Sequence, residues 1–309
     1  MILNTGSRTD IPAFYSSWFY HRIEAGFVCT RNPYNPQQVR RYRISPDTVD
    51  IISFCTKNPE PMLSRIHQLD TYRQFWGVTL TPYGRDIEPN VPDKHRIIKE
   101  IRELSNVVGK QAVSWRYDPI FITEKYSVEY HLHAFETICA ALQGYISFCV
   151  ISFIDLYAKT KRNFPDVKEV TPEQQAFFAQ KLSSIAAAHD IPVRACCEST
   201  SLQKYGINTD GCMTKQVLEE VMGEELTVPA AAASAREGCR CILGNDIGAY
   251  NTCRHFCKYC YANYNRQAVL DNSAGHDPTS PLLIGTPQPG DIIKNARQIR
   301  YRTGQLKLF

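Results

Sequence analysis

The sequence predicts an α/β fold of the (β/α) TIM-type barrel, whole or partial, with a cysteine-rich C-terminal segment. Three observations carry this reading. Short apolar runs alternate with stretches of helical periodicity, polar residues recur just past each apolar run, and eight of the 12 cysteines fall between residues 196 and 260. Alternation implies parallel strands joined by right-handed helical crossovers, which suits a barrel or a doubly wound sheet. The polar residues past the runs favour the barrel, whose active sites are assembled at the carboxyl ends of its strands.

The first strand is expected at residues 2–5, an apolar run followed by Arg8 and Asp10. Residues 49–55, 75–81, 112–117, 146–154 and 192–197 supply five more, each short and rich in β-branched or aromatic side chains. Helices are read where apolar residues return every three or four positions: Ile97, Ile101, Leu104 and Val108; then Val128, Leu132, Phe135, Ile138 and Leu142; then Phe178, Leu182 and Ile185. Asn58-Pro59, Ser127 and Thr171-Pro172-Glu173 mark helix starts, because such side chains accept from the first free amides and proline suits the first turn. The four alanines at 230–233 read as a short helix or linker. His131 and His133, two apart on a helix, fall on different faces and read as surface residues.

Composition bounds the class. A chain of 309 residues with 43% hydrophobic and 21% charged residues can bury a sizeable core, which excludes collagen, coiled coil and wholesale disorder. No apolar run reaches the roughly 18 to 20 residues of a bilayer span, and Arg8 and Asp10 stand where a signal peptide would be apolar. A cytoplasmic protein without membrane contact is expected. The net charge of +4, from 35 basic and 31 acidic residues, permits a nucleic-acid partner without demanding one.

The strand ends offer candidate catalytic residues at one mouth: Arg8, Asp10, Lys57, Arg116, Asp118, Asp155 and Glu198. Structural accounts stay open for some of them. Asp118-Pro119 and Asn58-Pro59 are also turn or cap signals, and Arg116 with Asp118 could form an ion pair.

The cysteines divide in two. Cys29, Cys55, Cys139 and Cys149 lie in apolar neighbourhoods and read as small core residues. Among the rest, Cys253, Cys257 and Cys260 have the spacing C-x3-C-x2-C, with Tyr259 just before the last. One compact loop of this kind can present three thiolates to three irons of a cubane and leave the fourth iron without a protein ligand. A zinc site is the competing reading, needing His255 or a distant cysteine as its fourth ligand. The flanking Asn251, Arg254, His255 and Lys258 make the stretch too polar for a buried strand.

C-x3-C-x-aromatic-C resembles the cluster loop of radical SAM enzymes. That resemblance implies that Cys253, Cys257 and Cys260 hold a 4Fe-4S cluster, that S-adenosylmethionine binds its open iron, and that Tyr259 lies near the adenine. In that superfamily the reduced cluster cleaves the cofactor to a 5'-deoxyadenosyl radical that abstracts hydrogen from substrate, with a reductant such as flavodoxin or ferredoxin as electron source. Radical SAM enzymes carry the loop after the first barrel strand; here it lies near the C-terminus, so the resemblance implies a circularly permuted barrel. No Gly-Gly-Glu follows a strand, and no residue is assigned to the methionine moiety. The chain as a whole, through Ser7-Arg8-Thr9-Asp10-Ile11-Pro12, Thr56-Lys57-Asn58-Pro59, Trp115-Arg116-Tyr117-Asp118-Pro119 and Asp246-Ile247-Gly248-Ala249-Tyr250-Asn251-Thr252-Cys253, resembles an uncharacterised bacterial family known by a domain of unknown function.

A second cysteine set remains. Cys197, Cys212, Cys239 and Cys241 would hold an auxiliary 4Fe-4S cluster, by resemblance to radical SAM enzymes that carry extra clusters, or a structural zinc. Cys196 and Cys197 alternate along a strand, so only one of them readily joins a given site. At the C-terminus, Gln305-Leu306-Lys307-Leu308-Phe309 resembles the peptide by which bacterial repair and replication proteins dock into the sliding clamp, which implies that clamp as partner and DNA as substrate; an apolar end tucked onto the barrel is the alternative. The expected organisation is a barrel core at 1–200, a cysteine-rich segment at 201–285 completing the barrel, and a tail at 286–309. The expected function is radical SAM chemistry on an unidentified substrate, with DNA or a nucleobase lesion as the candidate class. Two alternatives stand beside it: an iron-sulfur nucleic-acid-binding repair accessory, and a zinc-stabilised barrel hydrolase.

Overall fold

The computed structural model describes residues 1–229 and 239–306, so the alanines at 230–233 and the clamp-peptide residues Lys307, Leu308 and Phe309 lie outside the described residues. In chain order the strands are β1 (Ile2–Asn4), β2 (Phe27–Asn32), β3 (Asn35–Arg43), β4 (Ile51–Thr56), β5 (Gln74–Thr79) and β6 (Val113–Ile120). They continue with β7 (Cys149–Phe153), β8 (Val193–Ala195), β9 (Glu224–Leu226), β10 (Asn245–Asp246), β11 (Ile292–Asn295) and β12 (Arg302–Leu306). The six expected apolar runs are β1, β4, β5, β6, β7 and β8.

These six and β10 form one parallel sheet of seven strands in the order β10-β1-β4-β5-β6-β7-β8. Chain order is kept along the sheet without reversal, except that β10 returns from near the C-terminus to pair outside β1, Leu3 opposite Asn245 and Asn4 opposite Asp246. A closed barrel is not seen among the described residues. The far edge, β8, is occupied by its own downstream chain: Asn208 bridges Arg194, and the Ala195 amide donates to the Asn208 carbonyl at 2.8 Å.

The two faces of the sheet differ because side chains alternate along each strand. Leu3, Ile52, Phe54, Trp76, Val78, Trp115, Tyr117, Ile151 and Ala195 pack outward into the main core, with the apolar stripes of helices Lys94–Val108, Val128–Leu142 and Pro172–Ala188. Ser127 caps the second of these helices by accepting from the Tyr130 amide at 3.2 Å, and Thr171 and Gln174 form a reciprocal capping box on the third. Asn58 caps nothing comparable: the helix after it, Glu60–Leu63, is a single turn without a side-chain cap. On the inner face the residues nearest the amino ends of the strands, Ile2, Ile51, Phe75 and Phe148, pack under helix Lys215–Met222 with Met213 and Cys241. Further along, that face turns small and polar: Asn4, Ser53, Cys55, Gly77, Thr79, Ser114, Arg116, Asp118 and Ser152 line a cavity.

Two expectations change here, and the segment expected as a tail carries paired strands. β11 pairs with β3 and β12 with β9, so Gln305 sits in a paired strand. His131 is buried, between the Tyr117 hydroxyl (2.8 Å) and the Phe121 carbonyl (2.9 Å), because its helix presents that position to the core; His133 is exposed as expected. Cys29, Cys139 and Cys149 are buried core residues, whereas Cys55 is half-buried and lines the cavity. Among the described residues no helix is long and apolar enough to cross a membrane.

Candidate functional site

The cavity of about 660 Å³ opens at the carboxyl ends of the strands and is lined by both cysteine sets. Strand β10 fixes its mouth. Beyond that strand the chain turns back into a loop closed by the Asn251 amide on the Ala262 carbonyl at 3.1 Å, and within it Cys253, Cys257 and Cys260 line the cavity. Asn251 and Phe256 adopt left-handed backbone (φ 56° each), which coils the loop tightly enough for three closely spaced cysteines to face one space.

Several contacts seat this loop. The Lys258 amide donates to the Ile87 carbonyl (3.0 Å), the Asn90 amide to the His255 carbonyl (3.2 Å), and the Tyr15 hydroxyl to the Thr252 carbonyl (2.7 Å). His255 Nε2 donates to Asp10 Oδ2 at 2.9 Å, and both side chains are buried. Asp10 also accepts from Thr56 Oγ1 (2.7 Å), the Lys57 amide (2.8 Å) and the Ala13 amide (3.0 Å). These contacts tie β1, β4 and the cysteine loop together through Asp10, which also lines the cavity.

Two of the loop sulfurs accept hydrogen bonds from the backbone. Backbone amides point at them, from His255 onto Cys253 and from Ala262 and Asn263 onto Cys260, and such donors favour thiolate. Burial pushes the thiols of Cys253, Cys257 and Cys260 up, so each keeps its proton at neutral pH in the absence of a metal. The arrangement therefore fits a thiolate-bound metal centre with part of its coordination turned to the cavity.

Beside the loop lies a buried carboxylate that has no sequence signature. Glu88 accepts from Lys57 Nζ (2.8 Å), Lys94 Nζ, Thr81 Oγ1 (2.7 Å) and the Tyr259 hydroxyl. Burial alone would raise its pKa, but the two ammonium groups outweigh burial and hold it down to about 2. Tyr259, pushed well up by burial and by Glu88, stays a phenol and donates. Lys57 and Tyr259 both line the cavity, Lys57 at 5.6 Å from the Tyr259 ring.

The other expected strand-end residues separate. Arg8 pairs with Asp246 of β10 and lines the cavity. Arg116 pairs with Asp118, which also accepts from Ser152, and both line the cavity; Gly77 leaves room for the arginine stem, since a Cβ there would lie 3.3 Å from Arg116 Cδ. Asp155 lines the mouth beside Tyr157. Glu198 is not among the residues that line the cavity; it accepts from the Phe153 amide at 2.7 Å at the end of β7.

On the cavity floor, Cys196, Cys212 and Cys241 bring their sulfurs within 4.8 Å of one another, and Cys239 reaches Cys196 and Cys241. Cys196 joins this group, and Cys197, expected in it, also lines the cavity. Ala195 faces the outer core, so Cys196 faces inward, and at Cys197 the backbone turns left-handed (φ 60°) and leaves the strand.

No curated protein and no solved structure matches the chain. A family model described as a domain of unknown function, DUF1848, matches residues 2–262, and the chain belongs to that family.

Proposed function

We propose that the protein is a radical SAM-type enzyme built on a permuted partial barrel. The observation that carries this reading is the seating of Cys253, Cys257 and Cys260 at the mouth of a cavity of about 660 Å³, on a loop that follows the strand paired outside β1. Placing β10 before β1 in space puts the cysteine loop after the first strand of a sequentially ordered parallel sheet. This is the position expected of a permuted chain.

Bound by these three cysteines, a 4Fe-4S cluster with one iron free of protein ligands would supply the electron for reductive cleavage of S-adenosylmethionine. The protein's own groups then have separable tasks. Asp10 and His255 lock the loop to the sheet. Lys57, held by Glu88, keeps a positive charge against the cavity beside Cys257, where it offsets the charge of a thiolate centre and can meet an anionic cofactor group. Arg116 with Asp118, deeper in the cavity, and Asp155, at its mouth, offer hydrogen bonds to a polar substrate.

The rim supports a nucleic-acid substrate. Tyr157, Tyr250, Tyr261 and Tyr264 are exposed there, with Tyr157 and Tyr261 rings 6.3 Å apart. Lys159 stands 5.2 Å from the Tyr250 ring and Arg162 4.2 Å from the Tyr264 ring. Exposed aromatic rings interleaved with cations suit stacked bases and a phosphate backbone.

The test is anaerobic purification followed by dithionite and S-adenosylmethionine. About four irons per chain at the Cys253 loop and release of 5'-deoxyadenosine are expected, both lost together in a C253A/C257A/C260A variant. Iron without cleavage, also when single-stranded DNA is supplied, would leave the accessory reading; absence of iron would overturn the proposal.

A further inference from the structure

The floor of the cavity gathers the second cysteine set. We propose that Cys196, Cys212, Cys239 and Cys241 bind one tetrahedral metal ion of the zinc class, closed on all four sides by thiolate. The inference does not depend on what the Cys253 loop holds.

Sulfur spacing is the first argument. The Cys212 sulfur lies 3.6 Å from that of Cys241 and 3.8 Å from that of Cys196. Four sulfurs at about 2.3 Å from a single zinc stand about 3.8 Å apart at the edges of a tetrahedron. In a cubane each thiolate binds a different iron, so its ligand sulfurs are spread by the iron-iron separation as well and cannot be this close. The distances therefore select one ion over the auxiliary cluster.

Thiols in plain van der Waals contact could come equally near, so the second argument is what surrounds them. The amides of Cys212 and Met213 both donate to Cys241 Sγ, at 3.2 and 3.3 Å. Two amides on one sulfur make a thiolate nest, and a neutral thiol would leave them weakly paired. The turn that aims them is specific to glycine: Gly211 sits at φ 110°, where a Cβ would lie 2.8 Å from that same sulfur. Arg194 Nε holds the turn by donating to the Gly211 carbonyl at 2.8 Å. Arg116 donates to Cys212 and so brings a half-buried positive charge against the net negative charge of a zinc tetrathiolate.

A closed site of this kind is structural. It ties the end of β8, the turn at 211–213 and the segment at 239–241 into one knot under the cavity.

Metal analysis of the full chain, with zinc K-edge absorption spectroscopy, tests this. About one zinc per chain with four sulfur neighbours near 2.3 Å is expected. C196S/C212S should lose that zinc and keep the iron of the Cys253 loop, whereas C253A/C257A/C260A should keep the zinc. Where the C196S/C212S chain does not fold, the wild-type absorption spectrum alone decides. About four additional irons in place of zinc, a Cys212–Cys241 disulfide with no metal, a nitrogen or oxygen neighbour in the zinc shell, or zinc retained by C196S/C212S would each overturn the proposal.

Discussion

Glu88 is a carboxylate removed from water with Lys57, Lys94, Tyr259 and Thr81 all directed at it. Its pKa of about 2 in the fold lies below the ordinary 4.5, so its contribution to stability is complete above pH 4.5 and drains away as pH falls toward 2. The full contribution is about 3 kcal/mol. Glu88→Gln should therefore lower the denaturation midpoint clearly at pH 7, and the gap to wild type should narrow by pH 3; a gap that does not change with pH would refute the ion-pair account. His131, pulled down to about 4 by burial, loses its share on the same acid side but sooner, as pH falls below 6.5. Neither residue announces itself in the sequence. Glu88 lies outside every motif, and the choice between Cys196 and Cys197 turns on one left-handed backbone angle that no residue type signals.

At the scale of elements, the strands that carry large apolar side chains were legible and the short polar ones were not. Six buried runs and three long helices follow from periodicity and caps, since their patterns report which face meets the core. Strand β10 is Asn-Asp, with no apolar signal, and its existence rests on the close approach of Gly244. That glycine has φ 65°, and a Cβ on it would stand 2.6 Å from the Ile2 carbonyl oxygen and 2.7 Å from Ile2 Cβ. Gly244→Ala should push β10 off β1 and release the cysteine loop, cutting iron at that loop by roughly half or more while the outer helices keep their circular dichroism. Wild-type iron loading in this variant would show that the loop is seated by its other contacts. The β2–β3 hairpin and the pairing of β11 were missed for a related reason: β3 exposes most of its side chains, so its sequence reads as polar surface.

Over the whole molecule, a mild excess of positive charge becomes informative only once it is placed. The net +4 says little, but Arg8, Lys159 and Arg162 gather with exposed tyrosines around the one mouth where the strand ends meet. Binding of a fluorescent single-stranded oligonucleotide should be measurable at low salt and weaken as salt rises. Tyr261→Ala with Tyr264→Ala should cost about 1 to 3 kcal/mol for each base that stacks. No binding at low salt would remove nucleic acid from the reading of the rim and leave the cavity to a small substrate.

The pairing of β10 with β1 also has a history in time. Strand β1 waits for a neighbour some 240 residues downstream, Leu3 for Asn245, with nearly all of the other cavity walls synthesised in between. A contact of such separation closes late, after the local helices and successive strand pairs have formed. The cysteine loop is thus the last wall to be hung, and a nascent or truncated chain holds an open trough rather than a walled cavity. Under the proposed function, a metal bound by the loop would arrive at a pocket already able to shield it.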